Sequence, residues 1–369
     1  MTPPASLRHL VACVAVFLLS GCASTDTGPG YYWQSVTGHL QLMRAARPVQ
    51  DWIDDPATSA TLRQRLELAQ RIRDFASDSL AMPDNASYRR YADLGRRAAV
   101  YNVVAAGEFS LELRNWCFPV AGCVGYRGYY SEDAARRYAA TLPADLDVLV
   151  YPVPAYSTLG WLNWLGGDPL LNTFIAYPEG ELARLIIHEL AHQVLYVKGD
   201  TVFNESFATA VERLGGQQWL QQHATEQARE EYQRFDQRRQ AFRALTRSVR
   251  ERLSGVFSDP SLDEENRRLA KAEVMAQFRA EYAGLRETWG GHPGYDAWVA
   301  RANNASFAAQ AAYDELVPGF EALFLQSGSD FPRFYQAVRE LSQQPLTDRH
   351  EALRSLADQA TVRAGLRLP

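Results

Sequence analysis

The chain has 369 residues, 47% hydrophobic and 22% charged, with a net charge of -5 and a pI near 5.9. That composition fits two or three core-forming units or one large lobed domain, and it argues against wholesale disorder. A mildly acidic chain lacks the basic footprint of a nucleic-acid binder, and no repeat of fixed period marks a solenoid or propeller.

Residues 1–21 read as an address and are set aside from the fold. Arg8 and His9 precede an apolar run, Leu10 to Leu19, that is too short to span a bilayer stably. Leu19-Ser20-Gly21-Cys22 follows, and it resembles a bacterial lipobox. The resemblance implies cleavage before Cys22 and lipidation of its thiol; the alternative is an ordinary secretory signal. Ala23, where Asp would signal inner-membrane retention, implies by the same resemblance the periplasmic face of the outer membrane. Several acyl chains would anchor the protein stably. Ser24 to Gly30 reads as a flexible tether.

Helices are predicted over Tyr31–Asp54, Thr61–Ser79 and Tyr88–Asn102, with a break around Asp84–Ser87. Val103–Leu113 reads as extended and Trp116–Tyr130 as a structured loop. That loop holds Cys117 and Cys123, which in an oxidising compartment could close a small disulfide loop; their spacing is wrong for a zinc knuckle. Ser131 caps a helix to about Leu142. Asp145–Tyr151 reads as a strand stopped by Pro152 and Pro154, and Thr173–Tyr177 as a second strand after the Gly- and Trp-rich stretch Tyr156–Asn172. Helices follow from Glu181 to about Val197 and from near Asn204. Glu226–Leu285 is densely charged and glycine-poor, interrupted at Ser254–Leu262, and reads as a long antiparallel hairpin. Its charges form a solvated face or a docking arm for an unidentified protein partner. The Gly-rich loop Trp289–Gly294 leads into a helical C-terminal part, Tyr295–Arg367.

The stretch that carries chemistry is Leu185-Ile186-Ile187-His188-Glu189-Leu190-Ala191-His192-Gln193. Residues four apart on a helix differ by about 40° in direction, so His188 and His192 share a face and can converge on one ion. Neutral imidazoles suit zinc. Glu189 lies about 100° around from His188, beside a metal-activated water. Glu205, in Phe203-Asn204-Glu205-Ser206-Phe207-Ala208, starts a following helix and can return a third, carboxylate ligand; otherwise it is an acid favoured at a helix N-terminus. Two imidazoles and one carboxylate leave a fourth position for water. Glu212, seven residues after Glu205 on the same face, or Thr209 could orient a ligand histidine.

His-Glu-Leu-Ala-His followed by Asn-Glu-Ser-Phe-Ala resembles the gluzincin metallopeptidases. With the lipobox and Cys-Phe-Pro-Val-Ala-Gly-Cys-Val-Gly-Tyr-Arg-Gly-Tyr, the mature chain resembles a bacterial family of zinc aminopeptidase lipoproteins. The resemblance implies one zinc ion held by His188, His192 and Glu205, with Glu189 as catalytic base and a peptide as substrate. It also implies a distant oxyanion donor. Tyr313 is the first candidate, with Tyr156 and Tyr129 as alternatives. The segments Tyr156–Asn172 or Thr173–Tyr177 would pair with peptide backbone or form a packed aromatic loop, and Arg127 would bind a substrate carboxylate or form a surface salt bridge. No Gly-x-Met-x-Asn segment is present, so an envelope metalloendopeptidase stands beside the aminopeptidase, and a non-catalytic zinc-binding scaffold is the third reading.

The expected fold is α+β and mainly α-helical, with a gluzincin-like zinc helix packed on a small sheet drawn from Val103–Tyr177. The expected organisation is a signal (1–21), a tether (22–30), an N-terminal and catalytic region (31–225), the charged hairpin (226–290) and a C-terminal region completing the cleft (291–369).

Overall fold

The computed structural model describes residues 28–118, 122–155, 157–158 and 166–365. The lipobox with Cys22, most of the expected tether and Tyr156 lie outside the described residues. Among the described residues, no helix is long and apolar enough to cross a membrane.

Helix α1 (Pro29–Ala45) opens the described chain. Proline suits a first helical turn, where its missing N–H is not needed, so Pro29 and Gly30 begin a helix instead of ending a tether. The helix expected to reach Asp54 is interrupted by β1 (Arg47–Pro48) before α2 (Val49–Asp54), because Pro48 cannot donate within a helix. Helix α3 (Ala60–Asp78) starts where Ser59 accepts from the Leu62 N–H at 3.2 Å, and it buries Leu66, Ala69, Ile72 and Phe75.

The segment expected as a helix over Tyr88–Asn102 instead forms β2 (Arg90–Ala92) and enters β3 (Val100–Gly107). The cause is legible in burial. β3 is a central strand covered on both faces, so it lacks the alternation that marks a half-exposed strand. The expected aromatic loop contains a hairpin, β4 (Trp116–Phe118) with β5 (Gly122–Val124), and then β6 (Arg127–Tyr129). Cys117 and Cys123 face each other across that hairpin and are disulfide-bonded. Helix α4 (Glu132–Ala139) is capped by Ser131. Strand β7 (Leu146–Val153) runs through Pro152, and β8 is Leu170–Leu171. Thr173–Tyr177 is a set of turns rather than a strand: the N–H groups of Phe174 and Ile175 bond back to the Leu171 carbonyl at 3.2 and 3.0 Å.

The remainder is helical: α5 (Glu179–Val194), α6 (Thr201–Gln222), α7 (Glu226–Ser258), α8 (Glu264–Thr288), α9 (Asp296–Ala300), α10 (Asn304–Asp314), α11 (Val317–Gln326), α12 (Phe331–Ser342) and α13 (Leu346–Gly365). The molecule is thus a mainly helical α+β fold. Helices α7 and α8 form the long charged hairpin, closed on an apolar cluster of Phe242, Val249, Leu253 and Phe278 that Val299, Ala302 and Phe307 complete.

The sheets are small. β1–β2–β8 shares the main core with α5, through Tyr91, Leu170, Leu171, Ile186 and Leu190. β6–β3–β7 is antiparallel, with α4 on one face and α10 on the other. The first sheet thus packs on the zinc helix α5, and the second packs on α10, which in turn packs on α6. Helix α10 is pinned at its start. Asn303 and Ser306 form a reciprocal cap, the Asn303 amide donates to the Val148 carbonyl at 3.0 Å, and the Asn304 amide donates to the carbonyls of Gly107 and Glu108 at 2.9 and 2.8 Å. At its other end the Ser206 hydroxyl of α6 donates to the Ala312 carbonyl at 3.3 Å.

Candidate metal centre

Helices α5 and α6 form the antiparallel pair that builds the site. Ile186, Ile187 and Leu190 of α5 and Phe203, Phe207 and Val211 of α6 are fully buried, each burial stabilising by about 1.5–3 kcal/mol. The two helices approach closely at Gly216, where a Cβ would lie 2.8 Å from Arg184 Cγ. The turn between them is held by side chains. Asp200 caps α6 at the Phe203 N–H (3.1 Å), and Asn204 both donates to and accepts from the Val197 backbone at 2.8 Å. Asp200 also receives Arg349 Nε at 2.7 Å and pairs with His350 Nε2 at 2.9 Å. Burial opposes its ionisation, but His350, the Phe203 N–H and Arg349 outweigh it and hold its pKa below the usual value.

This frame brings His188, His192 and Glu205 together. His188 Nε2 and His192 Nε2 are 3.2 Å apart, and Glu205 Oε2 lies 3.3 Å from the first and 3.6 Å from the second. Two ligand atoms at 2.0–2.1 Å from a tetrahedral ion are separated by about 3.3 Å, so the triangle has the size that a zinc ion requires. The donor chemistry also fits, since two imidazoles and one carboxylate suit zinc better than magnesium or calcium. His188, His192 and Glu205 can therefore hold a metal ion.

Glu212 is the residue that orients His188, accepting from Nδ1 at 3.0 Å and leaving Nε2 for the metal. Glu205 and Glu212 are seven residues apart, about 10.5 Å along α6, and they bracket the two nitrogens of one imidazole. Thr209 is buried one turn from Glu205 but does not make that contact. Behind Glu212 lies Arg184, whose Nη2 pairs with Glu212 Oε1 and whose Nη1 reaches Asp236 (3.5 Å) and Tyr232 (3.3 Å) of α7. Asp236 meets Arg239 at 3.0 Å, and Arg239 forks onto Glu181 at 2.8 and 3.0 Å. Burial works against the His188 charge, but hydrogen bonds to Glu205 and Glu212 outweigh it and push its pKa well above the imidazole value. Burial likewise works against Glu205, yet His192 and His188 hold it down at about 2.

The site opens on a cleft of about 340 Å³. Glu189 lines it with the ligands. Burial raises its pKa, against the pull of both histidines. Tyr313, from the end of α10, stacks 6.2 Å from the His188 ring, where the charge of Glu205 and burial push its phenol well above 10. Tyr126 and Tyr196 line the same cleft, and so do Tyr31 and Ser35 of α1. Sequence reasoning missed these four; Tyr196, four residues after His192, carried the only usable signal. It also missed Asp168, which accepts from the Thr158 N–H at 3.0 Å and from Gln193 at 3.5 Å, behind the histidine motif. Burial pushes Asp168 up to about 6. Gly167 makes that corner possible, with φ of +65° and no room for a Cβ, which would fall 2.4 Å from Ser87 N.

Other candidates lie elsewhere. Tyr129 packs between Tyr31, Tyr138 and Arg127, away from the metal cleft. Arg127 does not lie at the surface. It is buried, with its guanidinium 4.2 Å from the Tyr31 ring and 4.1 Å from the Tyr138 ring.

A family model described as "Putative aminopeptidase" matches residues 30–353. The chain belongs to that family. Comparison with curated proteins and with solved structures gives no significant match. The family match spans every element from α1 into α13, so it includes the ligand helices, the charged hairpin and α10 with Tyr313.

Proposed function

We propose that this family member is a zinc-dependent peptidase that acts as an aminopeptidase. The observation that carries the reading is the ligand-sized triangle of His188, His192 and Glu205 with Glu189 in the same cleft. A divalent metal held there supplies Lewis acidity to a water and to the substrate carbonyl. Glu189, in the same cleft as the ligands, takes the water's proton and returns it to the leaving amine. Tyr313 stays protonated at neutral pH and donates its O–H to the developing oxyanion. Glu212, held ionised by Arg184, fixes the tautomer of His188. The Leu19–Cys22 motif supports placing the protein at the cell envelope on a lipid anchor, which mass analysis of the mature N-terminus would test.

The decisive experiment measures metal content and peptide cleavage for wild type and Glu189→Gln. One zinc in both proteins, with cleavage by wild type alone, is expected, and release of N-terminal residues from aminoacyl reporters marks the aminopeptidase. Internal cuts only would replace it by an endopeptidase. Zinc without any cleavage would leave a scaffold, and no zinc in either would end the ligand assignment.

A further inference from the structure

A second cavity, of about 330 Å³, lies beside the metal cleft, and Tyr313 lines both. Tyr151 stands at the same junction: it lines the second cavity, while its hydroxyl meets the amide of Asn102, a residue of the metal cleft, at 3.4 Å. The far wall is aromatic, with Phe242 stacked on Tyr295 at 4.0 Å and Trp298 edge-on to Phe242. Three arginines line the cavity, Arg239, Arg243 and Arg301, and no carboxylate does so among the described residues.

Arg239 is held by Glu181 and Asp236, and Arg243 by Asp314 at 2.9 Å. Arg301 is different. Its Nε donates to the Ala297 carbonyl at 3.0 Å, and among the described residues its terminal nitrogens have no carboxylate partner. The side-chain oxygen of Gln310, another lining residue, is buried without a hydrogen-bond partner. Burial, against the pull of Asp314, lowers the Arg243 pKa from its ordinary value. Unmatched positive charge, an idle amide and flat apolar walls form a receptor for a carboxylate next to an apolar side chain.

We propose that this cavity binds the C-terminal carboxylate of a short peptide whose scissile bond lies at the metal centre, an inference that rests on the peptidase reading. Arg301 receives the carboxylate, the Gln310 amide meets the peptide backbone, and the last side chain packs on Phe242, Tyr295 and Trp298.

The test has a binding arm and a turnover arm. The binding arm titrates the metal-loaded Glu189→Gln protein with Ala-Ala-Phe as free acid, as amide, and as an amide whose last residue is Asp. The free acid is expected to bind about tenfold or more tightly than the amide, as a charge-assisted pair implies. In Arg301→Ala that preference disappears, and Arg301→Lys restores part of it; Arg301 is exposed, so both variants keep the fold, which thermal melting checks. Equal affinity for acid and amide, or a preference that survives Arg301→Ala, overturns the proposal. An Asp-bearing amide that matches the free acid overturns the C-terminal assignment in favour of an acidic side chain. In the turnover arm, wild type is expected to favour the free acid in kcat/KM by a similar factor. If no peptide turns over, the peptidase reading fails, and the binding arm alone decides whether the cavity takes a carboxylate.

Discussion

Replacing Glu212 by Gln isolates the contact that aims His188 into the candidate metal site. In the wild type one carboxylate serves two neighbours, with Oε2 on His188 Nδ1 at 3.0 Å and Oε1 on Arg184 Nη2. Gln has a single acceptor oxygen, so its NH₂ group must face one of two donors. The His188 bond changes from charge-assisted to neutral, about 1.5–3 kcal/mol falling to about 0.5–1.5. The loss of about 1–1.5 kcal/mol corresponds to about tenfold in metal affinity, and the donor–donor clash carries it toward the upper part of the 10–100-fold range seen for such partners. Arg184 keeps Asp236 at 3.5 Å, so the chain still folds. The assay is competition for zinc with a chelator of known affinity, with urea unfolding of the metal-free protein in parallel. Metal affinity within about twofold of wild type, in a variant that keeps its fold, would refute the argument.

Other consequences are equally direct. Tyr313→Phe should lower kcat by about 10²–10³ with little change in KM, whereas Tyr129→Phe should leave kcat in place; steady-state kinetics on one peptide separates them. Asp200→Ala strips the α6 cap and leaves Arg349 buried without its carboxylate, so it should cost about 3–5 kcal/mol in urea unfolding, and a cost under about 1 kcal/mol would count against that role. Asp168 titrates near 3.8 unfolded and at about 6 folded. Between those values the folded chain holds a proton that the unfolded chain has released, so stability falls as pH rises through this window and stays reduced above it. Asp168→Asn lacks this term, and unfolding at about pH 4 and about pH 7 should show wild type losing about 2–2.5 kcal/mol relative to the variant.

The helical part of the fold was written in local pattern. Leu66, Ile72 and Phe75 announce α3 by spacing, and the dense charge of 226–285 announces α7 and α8. The strands were harder because their evidence is non-local. β3 is buried on both faces, so its first three residues read as the end of a helix and only Val103 onward as extended, and β8 is two residues long, defined only by pairing with β2. The site divides in the same way. His188, Glu189 and His192 are a one-turn motif, and Glu205 with Glu212 is a seven-residue interval on one helix. Tyr126 and Asp168 reach the site through turns that no short spacing encodes, and Tyr196 is announced only by its place four residues after His192. Tyr313 depends on Asn303 and Asn304 gripping β3 and β7, contacts that join residues more than a hundred positions apart.

The charged hairpin looks in sequence like an appendage, yet Asp236 and Arg239 of α7 extend the chain of charges that begins at His188 Nδ1. Asp200, at the turn between the ligand helices, finds its partners only at Arg349 and His350. In time, then, the site is finished last. A chain emerging in order presents its histidines more than a hundred residues before Tyr313 and before the clamp on their connecting turn. No leading fragment carries the complete arrangement, so a candidate metal centre built this way first exists where the whole chain has folded.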